Sequence, residues 1–174
     1  MSRFSAGLRA VVLASAIGGA ATGALAQGLV TTSKLSASLA NQLVGDTVAI
    51  CAQKGYKVTA VVVDLDGVRQ AFLRGNGAPI HSSDNAFYKA YSAASVTLAR
   101  NEGSTKVVAE RMAKSPPTTV PQTPLPNVTY AVGGLTIMAG GAAIGAIGVS
   151  GAPGGQLDED CAREALAKIQ DQIK

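Results

Sequence analysis

The chain has 174 residues, of which 47% are hydrophobic, 15% charged and 4% aromatic. That length suits one domain, and so large an apolar fraction supplies a packed core and excludes wholesale disorder. A net charge of +4, three Phe, four Tyr and no Trp provide neither the basic stripe nor the stacking platforms of a nucleic-acid binder.

Residues 1–26 read as a signal peptide. Arg3 and Arg9 make a basic start, residues 10–22 carry no charge, and Ala24-Leu25-Ala26 has the small-x-small pattern cut by signal peptidase. The apolar run, at roughly 13 residues, is shorter than the about 20 a membrane-spanning helix needs. Cleavage after Ala26 leaves residues 27–174 as a single exported domain, periplasmic or secreted, with no membrane span. In that oxidising compartment disulfides persist. Cys51 lies on a helical stripe with Val44 and Val48, and Cys161 begins another that continues through Ala165. If the first and last helices are neighbours, the two sulfurs can join; the alternative is two buried, inert thiols.

Leu35, Leu39, Leu43, Val44, Val48 and Cys51 repeat at helical spacing and predict a helix over 35–54, ended by Gly55. The β-branched run 57–64 predicts a buried strand, Asp66-Gly67 a hairpin turn, and 68–74 the returning strand. Gly75-Asn76-Gly77-Ala78-Pro79 is a loop, after which Ser82 or Ser83 is expected to cap a helix running to about 99. A shorter helix follows, from Ser104 or Thr105 to Lys114. Five prolines in residues 115–127 predict a crossing loop or flap. Strands are expected at 128–132, 135–138 and 142–150, with Asp158 capping the last helix. The order is α-β-β-α-α-β-β-β-α, an α+β domain with an antiparallel sheet flanked by helices.

Several segments together resemble the GlcG/HbpS-like family, known for haem binding and, in some members, haem degradation. They are Val58-Thr59-Ala60-Val61-Val62-Val63-Asp64 with Gly67; Arg74-Gly75-Asn76-Gly77-Ala78; His81-Ser82 with Lys89-Ala90-Tyr91-Ser92-Ala93-Ala94; Gly145-Ala146-Ile147-Gly148-Val149-Ser150-Gly151; and Asp158-Glu159-Asp160-Cys161-Ala162. The resemblance implies a profilin-like sandwich, assembly into a homo-oligomer, and a porphyrin or corrinoid ligand.

His81 is the sole histidine and the first candidate for an axial bond to haem iron, for which imidazole and phenolate are both suitable ligands. Tyr88 and Tyr91 share a helix face three residues apart and are the next candidates, as phenolate ligands or as a surface for the ring. Lys89, Arg74 and Arg100 are cations suited to propionates, and Met112 and Met138 are candidate thioether ligands. A lone histidine excludes any zinc site with two histidines. Asp64 and Asp66 make a poor acid/base pair, because Asp66 belongs to the turn. The glycines at 145, 148 and 151 are best explained by turns, bulges and close approach. Two other functions stay open: a non-catalytic oligomer that binds a small organic acid or a partner protein, and an enzyme acting on a small organic metabolite.

Overall fold

The apolar run after Lys57 forms β1 (Thr59–Val63), in which every residue is buried. A strand buried on both sides must have both faces of its sheet covered. In the computed structural model, which describes residues 28–114 and 124–173, β1 lies inside a four-stranded sheet of order β2-β1-β4-β3. Its partners are β2 (Arg69–Arg74) and β4 (Ala142–Ser150); β3 (Gly134–Ala139) closes the other edge, and all three pairings are antiparallel.

Ala60 and Val62 face the helices α1 (Ala37–Gln53) and α4 (Gly155–Ile169) in the main core. Val61 and Val63 point the other way, into a smaller core beneath α2 (Ser82–Ala93). The period of two along β1 thus divides the interior into two layers. A 3₁₀ turn (Leu98–Arg100) and α3 (Thr105–Lys114) follow α2, and a second 3₁₀ turn (Gln170–Gln172) follows α4. Together these elements make an α+β sandwich lying within a unit that spans Thr32–Lys174.

α1 and α4 are neighbours, and Cys51 and Cys161 form a disulfide with Cα atoms 5.6 Å apart. Lys54–Glu164 and Lys168–Asp46 ion pairs join the same helices at their surfaces. α2 approaches the sheet because β4 presents glycine there. A Cβ on Gly148 would stand 2.1 Å from the Ala86 carbonyl oxygen and 2.3 Å from the Ala90 nitrogen. Ala86, Ala90 and Ala93 complete this contact with side chains no larger than a methyl group.

Three local expectations need correction. Residues 128–132 lie outside the sheet ladder, where Thr129 N–H donates to Ser92 Oγ and the Gly133 carbonyl accepts from Val149 N–H. The second helix ends at Ala93, not near 99; Ser95 and Thr97 turn their hydroxyls back onto the carbonyls of Tyr91 and Ala93. Such back-bonding competes with helix propagation. His81, not a serine, occupies the N-cap position of α2, without a capping side-chain bond. Ser82 Oγ instead donates to the Pro79 carbonyl and shares a hydrogen bond with Thr59 Oγ1. The expected signal peptide and much of the proline-rich segment lie outside the described residues.

Candidate functional site

His81, Asn85 and Lys89 recur every four residues and so form one stripe along α2. The stripe lines one side of a cavity of about 390 Å³. Ser150 from the end of β4, the loop residues Gly151–Gly154 with Gly155 of α4, and Asp158 line the remainder, with Pro79, Ala131 and Val132 at its border. His81 is exposed on the rim. Asn85 Nδ2 donates to Ser150 Oγ at 2.9 Å, tying α2 to β4.

Deeper in the wall, Lys89 and Asp158 are 3% and 2% exposed and form an ion pair at 2.7 Å. Lys89 Nζ also donates to the Val149 carbonyl at 2.9 Å, and Asp158 Oδ1 accepts from Ala152 N–H at 2.9 Å. Burial raises the Asp158 carboxyl above its ordinary range and outweighs the opposing pull of the Lys89 charge and of its hydrogen bonds. Gly133 passes directly over this pair. A Cβ there would meet the Val149 oxygen at 2.8 Å and Lys89 Nζ at 2.9 Å, and φ is +125°, a conformation that favours glycine.

Asp158 therefore does not cap the last helix as expected. α4 begins earlier, at Gly155, and its N-cap Gly154 supplies no side-chain oxygen. Asp158 lies within the first turn and reaches inward to Lys89.

Of the predicted site residues, the fold brings His81 and Lys89 to one cavity and puts the others elsewhere. Tyr91 covers Gly67 and meets Phe87 edge-on, with ring centroids 6.0 Å apart. Tyr88 is tilted against Phe87, also at 6.0 Å, and is 37% exposed. The Arg69 guanidinium stacks on that same Phe87 ring, 3.7 Å from its centroid. Arg74 holds its own loop closed by donating to the Ala78 carbonyl. Arg100 is exposed, Met138 is half-buried on β3, and Met112 contacts Arg111 on α3. Asp64 is the keystone of the hairpin turn, accepting from the N–H groups of Asp66 and Val68 and from Gln70. Asn85 and Asp158 were the missed members; Asn85 stands midway in the eight residues from His81 to Lys89, and that four-residue step is the signal that points to it. Among the described residues, no three His, Cys, Asp or Glu side chains gather as a metal cluster. No described helix is long and apolar enough to cross a membrane.

The family model "Haem degrading protein HbpS-like" matches residues 35–167. The chain belongs to the HbpS-like family. It is 32% identical to HbpS in its crystal structure, covering 81% of this chain and 94% of that one with a TM-score of 0.71. A double mutant of HbpS from Streptomyces reticuli is 31% identical, with 92% and 99% coverage and a TM-score of 0.72. PduOC, crystallised as a heme complex, shares the fold at 24% identity, with 77% and 94% coverage and a TM-score of 0.63. No protein of curated function matches the chain.

Proposed function

We propose that this is an exported haem-binding protein that engages the ring through His81. The observation that carries the reading is the position of that imidazole: exposed, and on the rim of a cavity with a buried ion pair in its wall. Membership of a family described as haem degrading supports it, as does a structural relative crystallised with heme. The residues fit the group. A neutral imidazole is a suitable axial ligand for haem iron. The cavity, about 390 Å³, is at the small end of ligand pockets, so it accepts one edge of a macrocycle and leaves the rest to be covered from outside.

Bound haem supplies redox-active iron. The chain's own part is to hold the ring by an imidazole and to shield one edge from water. Homo-oligomerisation belongs to the same proposal: the edge strand β2 leaves Phe72 and Leu73 exposed, and Ile80 projects from the loop after it. Export is supported by residues 1–26 and by the Cys51–Cys161 disulfide, which suits an oxidising compartment. In the same proposal bound haem is itself turned over, as the family's description suggests.

Haemin titration tests the reading. The full chain is expected to develop a Soret band at one haem per chain, and His81→Ala is expected to shift that band and weaken binding. A spectrum unchanged by the substitution removes His81 as a ligand. Loss of the Soret band under ascorbate and air would support turnover; a stable band would restrict the protein to binding.

A further inference from the structure

The buried ammonium of Lys89 has more donors than the protein uses. A lysine carries three N–H bonds. Two are taken, by Asp158 Oδ2 and the Val149 carbonyl. Both oxygens of Asp158 are engaged, one by Lys89 and the other by Ala152 N–H. The third N–H of Lys89 has no partner among the described residues, although the side chain is 3% exposed and lines the cavity.

Across the same cavity lies the start of α4, where Gly154 and Gly155 form part of the wall and no side chain caps the helix. The first N–H groups of a helix lack intrahelical acceptors, and the helix dipole makes that end favourable for an anion. Asn85 and His81 add polar groups along the way in from the rim.

We propose that this cavity is a carboxylate site, in which the free N–H of Lys89 and the uncapped N-terminus of α4 receive one carboxylate group, from a tetrapyrrole propionate or from a free small organic acid. The propionate form rests on the haem reading above; the free-acid form does not. Asp158 holds Lys89 in place and neutralises it, which tempers the attraction for a second anion.

Haemin and haemin dimethyl ester are the probes for the first source and succinate for the second. They are titrated into the full chain, Asp158→Asn and the double variant Lys89→Met/Asp158→Asn. A charge-assisted hydrogen bond lost on esterification corresponds to about tenfold or more in affinity. If a propionate is the occupant, haemin binds that much more tightly than its ester, and the preference vanishes in the double variant. If a free acid is the occupant, haemin and its ester bind equally, succinate gives a saturable heat with the wild type, and the double variant loses it. Asp158→Asn removes the competing anion and tightens the carboxylate probe several-fold in either case. Asp158→Asn strands the buried Lys89 charge and the double variant does not, so the double variant decides the matter if Asp158→Asn does not fold. The comparison of haemin with its ester in the wild type needs neither. A loss of haemin binding with Lys89-dependent succinate binding retained would sink the haem reading and leave this one standing. Equal affinity for haemin and its ester, together with no succinate binding, overturns the carboxylate site. An Asp158→Asn protein with unchanged or weaker carboxylate affinity overturns it as well.

Discussion

The Lys89–Asp158 pair shows how one contact serves both fold and site. Burying two charges is costly unless each is paired and hydrogen-bonded, and here both are. Lys89→Met alone strands the Asp158 charge and should lower stability by about 3–5 kcal/mol in urea unfolding. Adding Asp158→Asn should restore part of that loss, because no uncompensated charge is left behind. A double variant less stable than the single one would contradict this account. A second pair joins Arg111 of α3 to Glu102 in the loop before that helix. Arg111 hydrogen-bonds Glu102 and holds its carboxyl below the ordinary carboxylate range, against the opposing effect of burial. A depressed carboxylate contributes stability above its unfolded pKa and loses it as pH falls through its folded value. The contribution is therefore intact at neutral pH and disappears in acid. The Tm of Glu102→Gln should fall less steeply than that of the wild type below about pH 4.5. Parallel acid limbs would remove Glu102 from the argument.

At the scale of elements, close approach of backbone explains what composition alone leaves obscure. Gly148→Ala places a methyl group against the backbone of α2, where neither the helix nor the central strand can yield. Overpacking of this kind typically costs about 1–3 kcal/mol, and a lower Tm with weaker haemin binding is expected because α2 carries His81 and Lys89. An unchanged Tm would show that α2 can lift freely from the sheet. β1, β2, β4 and α3 were legible to within about two residues, because an apolar run, the Asp66-Gly67 turn and helical spacing are local signals. The extent of α2 was not. Ser95 and Thr97 end it by bonds to carbonyls four residues back, and a sequence pattern rich in alanine gives no warning. α4 starts at Gly155, earlier than Asp158 suggests, for a related reason. Asp158 has the chemistry of a cap, but a buried lysine 69 positions away claims its carboxylate. That claim is non-local, so neither the cavity nor the pairing in its wall was visible before the fold was known. The near neighbours His81 and Lys89 were nameable; the partner that fixes one of them was not.

For the whole molecule, α1 and α4 are held on one face of the sheet by a disulfide that closes 110 residues of chain. Removing so long a cross-link releases unfolded-state entropy, and Cys51→Ser should cost about 2–5 kcal/mol. The melting temperature with and without reductant measures this, and equal values would mean that the bridge adds nothing to stability. The helices α1 and α4 occupy one layer and α2 the other, so the ligand cavity sits where the end of β4 passes between them into α4. The cavity thus lies at the edge of both layers, which predicts where a bound ring will protect the chain. Hydrogen exchange measured by mass spectrometry, with and without haemin, reads that location directly. Slowed exchange is expected in peptides covering residues 79–89 and 150–158, which contain every polar side chain of the cavity. Protection confined to the edge strand β2 or to the outer face of α1, with those two segments unchanged, would contradict the claim that haem is held at His81.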